Sequence, residues 1–269
     1  MGMPDNLVFI RHGNSEANVL QAAAKKGDYS LHTEERVTVP DRKWRLTPVG
    51  VTQAQIAGAW VRENLSIFDR FIVSPYVRTR ETAGNLALPN AKWEENRTVR
   101  ERNWGMIGSM PLVKFKERWP ESAQIKDSDP LYWQAPSGES IAGLAEGRVR
   151  SLANTLHREN EHSNVVVTSH GEFMQAALVF FERWSDEDFS DFENDPNRRI
   201  HNCAVLHFTR INPVTGEMAR KLKWRRLAYP VMQQDGSWEM LVEPWVEFDR
   251  RYYTNEDLLA GIEEYPHQF

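Results

Sequence analysis

Three short apolar runs in this chain each end abruptly on groups that do chemistry, and that pattern restricts the fold more than any other feature. Leu7 to Ile10 ends in Arg11-His12-Gly13, Phe68 to Val73 in Ser74-Pro75, and Val165 to Val167 in Thr168-Ser169-His170-Gly171. Short runs rich in β-branched residues and apolar at almost every position read as strands buried on both faces. Between them the period changes to a helical one. Thr47-Pro48 supplies an N-cap and a first-turn proline, followed by Val51, Ala54, Ile56, Ala57 and Trp60 up to about Glu63. Ser137-Gly138 precedes the stripe Ile141, Leu144, Ala145, Val149, Leu152, Ala153 and Leu156, and Gly171 opens an apolar helix through Phe181. This alternation predicts an α/β fold, a three-layer αβα sandwich around a mostly parallel central sheet.

In a parallel sheet the strand ends converge, and ligand sites form beyond their C-terminal ends. Arg11, His12 and His170 are therefore expected in one pocket, with Arg78, four residues past Ser74, reaching the same place. Two arginines offer bidentate donors to an oxyanion, and helix N-termini after Gly13 and Gly171 would add backbone N–H groups. The whole chain points the other way, with 33 Lys and Arg against 38 Asp and Glu, a net charge of −5. A mildly acidic protein with one locally cationic cleft suits a small phosphate ester and disfavours nucleic acid. No apolar stretch approaches the ~20 residues of a membrane span. The single cysteine, Cys203, allows no internal disulfide and points to a reducing compartment. With Asp5 early and no apolar run of leader length, the expected location is the cytoplasm.

Six blocks in order then carry a resemblance. They are R-H-G-x-S-x-x-N (Arg11, His12, Gly13, Ser15, Asn18), L-T-x-x-G-x-x-Q-A (Leu46 to Ala54), S-P-x-x-R-x-x-E-T (Ser74 to Thr82), E-R-N-W-G (Glu101 to Gly105), G-E-S (Gly138 to Ser140) and S-H-G (Ser169 to Gly171). Over about residues 7–210 the chain closely resembles the histidine phosphatase superfamily, in the phosphoglycerate mutase-like branch. The resemblance implies that fold and makes His12 a nucleophile forming a phosphohistidine. Arg11, Arg78 and His170 would hold the transferring phosphoryl group, with Asn18, Ser15 and Gly171 as further substrate contacts. Glu101 would be general acid, then base, and no metal or other cofactor is implied. The chemistry fits independently of the family. A histidine attacks only when neutral, neighbouring arginines keep it so, and an alkoxide leaving group needs a proton.

Rival readings remain at individual positions. A histidine at a strand end is often a hydrogen-bonded structural group, Glu101 has Glu94, Glu95 and Glu139 near it in sequence, and Asn18 could be a polar residue early in a helix. At the level of function, a phosphomonoesterase competes with a mutase. The family mutases carry an Arg-Arg-Ser segment and a proline run that Val113 to Ser137 lacks, which favours the phosphatase. A phosphate-binding scaffold without catalysis also competes, as does a metal hydrolase built on His12, His170 and Glu101, which the two arginines oppose. Two segments depart from the resemblance. Residues 21–45 are long and basic, a lid, a second polar subsite or a solvated excursion. Residues 211–269 form an extension, expected to pack on the catalytic domain (1–210) or at a homodimer contact. Within it, Asn212-Pro213 with Gly216 reads as a turn, and the alternating stretch Met218 to Leu227 after it as a segment that pairs as a hairpin. Cys203 to Phe208 reads as a strand, and Trp44, Trp104 and Trp133 as aromatic walls near the pocket.

Overall fold

The computed structural model describes residues 2–65, 67–108, 110–195 and 198–262. Its elements run β1 (Asn6–Arg11), α1 (Glu16–Lys25), α2 (Glu34–Val37), α3 (Pro48–Asn64), β2 (Arg70–Val73), α4 (Val77–Asn85), β3 (Trp93–Glu95), α5 (Leu112–Arg118), α6 (Pro120–Ser128) and α7 (Ile141–Leu144). A wider π turn over Ala145–Val149 joins α7 to α8 (Arg150–Glu159). Then come β4 (Asn164–Ser169), α9 (Gly171–Glu182), α10 (Asp186–Asn194), β5 (Val205–Thr209), β6 (Trp224–Met232), β7 (Trp238–Val242), β8 (Val246–Glu247) and α11 (Asn255–Ala260). The strands form a sheet in the order β3-β2-β4-β1-β5-β6-β7, with β8 on β6. The half from β3 to β1 is parallel, while β5, β6, β7 and β8 pair antiparallel.

Alternation along the buried strands explains the three layers. Leu7 and Phe9 of β1 face one core with Val165 and Val167, beneath α7, α8 and α9. Val8, Ile10 and Val166 face the other, beneath α3. All seven are fully buried, so helices must cover both faces of the sheet. Each such side chain contributes about 1.5–3 kcal/mol by burial. A third, smaller cluster of Ile107, Phe115, Ala123, Trp133 and Ala135 holds the excursion between the Glu101 loop and α7.

Register then places the chemistry. Arg11 pairs with Ser169, and Ile10 and Val73 both pair with Thr168, so β1, β2 and β4 end level. The next residues, His12, Ser74 and His170, become neighbours by that alignment. His12 N–H donates to Ser169 O and Ser74 N–H to Thr168 O, each at 3.0 Å. Gly13 is required by close approach, because a Cβ there would lie 2.4 Å from the Gly50 carbonyl oxygen at the start of α3. Thr47 caps α3 by accepting from Gly50 N–H, with Pro48 at the first helical position.

One local expectation is refined and one changes. The segment after the 212–216 turn does pair back on the strand before it, from Trp224 onward. β6 begins at Trp224 and pairs with β5 across the turn, then forms a hairpin with β7. Nearer the turn, Met218 bridges back to Ile211. The strand expected from Cys203 starts at Val205, since Cys203 is a buried residue with φ +54° in the preceding turn. A non-glycine residue in the left-handed region cannot continue a strand. Residues 263–269 of the expected extension lie outside the described residues. Among those described, no helix is long and apolar enough to cross a membrane.

Candidate active site

The five charged residues anticipated as chemical groups line one cavity of about 750 Å³ or lie buried at its floor. Arg11, His12, Arg78 and Glu101 line it, and His170 is fully buried beneath. His12 is oriented from both ends of its ring. Its Nδ1 lies 2.8 Å from Gly13 O, so Nδ1 carries the proton and donates. Its Nε2 keeps a lone pair, and Arg78 Nε donates to it at 3.2 Å. Burial, then Arg78 and Arg11, holds His12 well below the usual imidazole range. The ring is therefore neutral at neutral pH, with its Nε2 lone pair unprotonated.

His170 is placed similarly. Tyr76 N–H donates to Ser74 Oγ at 3.4 Å, leaving the hydroxyl proton for His170 Nε2, 2.8 Å away. The proton of His170 then sits on Nδ1, which is buried without a hydrogen-bond partner and lies 3.7 Å from Glu101 Oε2. Arg11 donates through Nη1 to Ile200 O, and its buried Nε has no hydrogen-bond partner among the described residues. Gly171 makes room for that group, since a Cβ there would lie 3.2 Å from Arg11 Nε. Two unpartnered buried donors beside the His12 lone pair are what an oxyanion would satisfy. Burial, then the Arg78 guanidinium, the neighbouring His12 ring, which resists a second proton beside it, and Arg11 also keep His170 well below its ordinary range.

Arg78 carries a competing partner. Its Nη1 donates to Asp41 O at 2.7 Å and to Oδ1 at 3.2 Å, and its Nη2 to Oδ2 at 3.4 Å. Asp41 belongs to the basic segment 21–45, whose Lys25, His32 and Val39 also line the cavity. The segment is fastened by Glu81 of the Ser74–Thr82 block, which accepts from Leu46 N–H at 2.7 Å and from Arg45. Thr82 accepts from Gly13 N–H at 3.0 Å and donates to Arg78 O.

Glu101 sits in a loop anchored along its N-terminal side. Ser169 Oγ donates to Val99 O at 2.7 Å, and Arg148 donates to the carbonyls of Thr98, Arg100 and Glu101. Burial and the nearby Glu172 carboxylate push the Glu101 carboxyl up to about 7, against the pull of Arg78. The rival acids are engaged elsewhere. Glu139 accepts from Arg148 and from Asn103 N–H, which hold it below the usual carboxylate range despite partial burial. Glu94 pairs with Arg70 and Glu95 with Arg80.

Ser15 and Asn18 have a structural job as well. Ser15 caps α1, and Asn18 Oδ1 accepts from Ser15 N–H, Ser15 Oγ–H and Asn202 Nδ2. The Asn18 amide NH2 is the group left for a ligand, and both residues line the cavity. Fewer backbone N–H donors are free at the start of α1 than its position suggests, because Glu16 N–H donates to Arg45 O and Asn18 N–H to Ser15 Oγ. Trp44 and Trp104 line the cavity. Trp133 does not, being buried against Phe115 in the small cluster. Sequence reasoning misses Ser74 as a histidine partner, and misses Asp41 and Glu172. Ser74 carries a signal, its place at a strand end level with His12 and His170.

Among the described residues, ligand atoms of His12, Glu101 and His170 lie within 4.8 Å of one another. A metal would meet Arg78 Nε against His12 Nε2 and the Arg11 guanidinium beside it, a like-charge environment. The same atoms with both arginines suit a phosphoryl group instead.

The sequence model of the histidine phosphatase superfamily (branch 1) matches residues 7–210. The Phosphoglycerate mutase-like protein AT74 of Arabidopsis thaliana is 28% identical over 263 residues, covering 84% of this chain and 77% of the relative. A phosphoserine phosphatase from Entamoeba histolytica, solved with phosphoserine, has a TM-score of 0.60 at 16% identity, over 90% of this chain and 96% of its own. A mycobacterial glucosyl-3-phosphoglycerate phosphatase gives 0.60 at 18%, over 83% and 96%. At these identities the likeness to solved structures concerns the fold.

Proposed function

Since the chain belongs to the histidine phosphatase superfamily (branch 1), we propose that it hydrolyses a small phosphate monoester without a metal, through a phosphohistidine on His12. The observation that carries this reading is the oriented His12 Nε2 lone pair, beside unpartnered donors on Arg11 and His170 and a carboxyl raised to about 7. In the first step Nε2 attacks phosphorus and the P–O ester bond breaks. Its electron pair goes to the leaving oxygen, which takes the Glu101 proton. In the second, the Glu101 carboxylate accepts a proton from water as it attacks phosphorus. The P–N bond breaks, returning its pair to Nε2 and releasing phosphate. Arg11, Arg78 and His170 neutralise charge on the equatorial oxygens in both steps. Asn18 adds a donor, Ser15 holds Asn18, and Gly171 gives Arg11 its space. The cavity volume falls within the range of metabolite sites, and the buried free thiol of Cys203 accords with a cytoplasmic protein.

The test is denaturing quenching at alkaline pH during turnover of an aryl phosphate and a panel of phosphorylated metabolites, with intact-mass analysis of the protein before and after acid treatment. The reading expects one acid-labile phosphoryl group on the wild-type chain, none in His12→Ala, and turnover unaffected by EDTA. Loss of activity in EDTA with recovery on zinc would overturn it in favour of the metal hydrolase. Phosphoryl return to a phosphoglycerate faster than release to water would make the protein a mutase. Absence of turnover across the panel would make it a binding scaffold.

A further inference from the structure

We propose that Glu172 is the positioning residue that clamps the Glu101 loop onto the histidine floor of the site. This rests on the reading of Glu101 as the acid. Glu172 stands in the first turn of α9, two residues after His170, and reaches across to the loop with both oxygens. Its Oε1 accepts from Arg102 Nη1 at 3.2 Å and its Oε2 from Trp104 Nε1 at 2.7 Å. Arg102, whose side chain is only 4% exposed, is locked in turn. Its Nε donates to Glu139 O and its Nη2 to Trp133 O, and its guanidinium stacks on the Trp104 and Trp133 rings. The Arg102 backbone N–H then donates to Glu101 Oε1 at 3.1 Å. One carboxylate thereby ties Arg102 and Trp104, just past Glu101, to the helix that begins at the second histidine.

The same contacts divide the charge between two acids. Glu172 has an arginine and an indole N–H to stabilise its ionised form, whereas Glu101 has no side-chain hydrogen-bond donor among the described residues. Burial raises both carboxyls, but Arg102 and the Trp104 indole N–H oppose that rise at Glu172, so the pair favours the negative charge on Glu172 and the proton on Glu101. The other charged or titratable groups around Glu101 are Arg78 of α4, Asp41 of the 21–45 segment, Arg11 and His12 at the end of β1, His170, Tyr76 and Arg148. Of the carboxylates, Glu172 is the one that raises Glu101 most.

The experiment compares wild type, Glu172→Gln, Trp104→Phe and Glu101→Gln on an alkyl phosphate (glycerol phosphate) and an aryl phosphate (p-nitrophenyl phosphate), with kcat–pH profiles. An alkoxide needs the acid and a nitrophenolate does not. Removing the Glu172 charge lets Glu101 ionise at lower pH. The alkaline fall of alkyl turnover should therefore move about 0.5–1.5 pH units lower in Glu172→Gln. At a pH above the wild-type fall, alkyl turnover should drop roughly 3–30-fold, with the aryl rate reduced several-fold less. Trp104→Phe removes one clamp bond but keeps the charge, so it should lower alkyl kcat about 2–5-fold without moving the profile. An unchanged profile in a folded Glu172→Gln overturns the proposal, as does an equal loss on both esters. If Glu172→Gln does not fold, Trp104→Phe decides by the same alkyl-to-aryl ratio. Failure of the acid reading itself looks different, since Glu101→Gln would then keep the wild-type alkaline fall.

Discussion

The floor and the rim of the cavity are built by different means. At the floor, every charged group stands on a strand end, in a first helical turn or on an anchored loop, and each is oriented by a partner. His12 is fixed by Gly13 O, His170 by Ser74, Arg78 by His12 and Asp41, and Arg102 by Glu172. At the rim, Lys25 and Arg199 are exposed, and among the described residues their side chains make neither ion pair nor hydrogen bond. A preorganised floor acts on charge that develops during the reaction, so its residues should govern kcat. A rim of hydrated cations attracts anions through solvent, so its residues should govern KM and its salt dependence.

The largest effect that can break this contrast is loss of the nucleophile. His12→Ala should lower kcat by about 10⁴-fold or more on any ester, as removal of a covalent nucleophile does elsewhere. Steady-state rates on the aryl ester measure it, and residual turnover within tenfold of wild type would place the chemistry outside the floor. Next comes the acid. Glu101→Gln should cost about 10²–10³-fold on an alkyl ester and much less on an aryl one. The pH dependence follows from the same two groups. His12 must be neutral, and its lowered value puts the acid limb well below its usual range; Glu101 must be protonated, and it titrates at about 7. Alkyl turnover should therefore fall as pH rises through about 7. A profile level well above neutrality would remove Glu101 from the role.

The same contrast explains what is legible in the sequence. Strand ends are easy to read because burial on both faces forces a continuous apolar run, and the run stops where the polar site begins. Register does the rest, so Arg11, His12 and His170 converge without any information beyond three strands and their order. Asp41 and Glu172 are not legible for the opposite reason. Their partners, Arg78 and Arg102, lie 37 and 70 residues away and are reached by loop paths that no local period encodes. Ser15 and Asn18 read as substrate contacts where a capping box also requires them, and sequence cannot separate two demands that select the same residue. Trp133 is drawn toward the pocket by its neighbours in sequence, whereas the path of the chain after α6 turns it into a separate cluster.

Asp41 lies at the boundary between floor and rim, and its substitution sharpens the comparison at intermediate size. Both Arg78 Nη atoms face this half-exposed carboxylate, which offers oxygens where a phosphate would. Exposed ion pairs contribute only about 0–1 kcal/mol, so an arriving phosphate can displace it. Asp41→Asn should tighten inhibition by inorganic phosphate about 2–5-fold, a factor equivalent to that free energy. Weaker phosphate inhibition in the variant would mean that Asp41 orients Arg78 and belongs with the floor.

The smallest effect is expected at the rim itself. Lys25→Ala and Arg199→Ala should each raise KM for a phosphate ester by about 2–3-fold at low ionic strength while leaving kcat within experimental error of wild type. The increase should shrink as salt is added, because exposed charges beyond a Debye length of ~8–10 Å are screened near physiological ionic strength. Esters that carry a second anionic group sharpen the test, since their outer charge would sit among these cations while the phosphoryl group stays at His12. A kcat loss in either variant, or a KM effect that survives high salt, would mean that the rim is as preorganised as the floor.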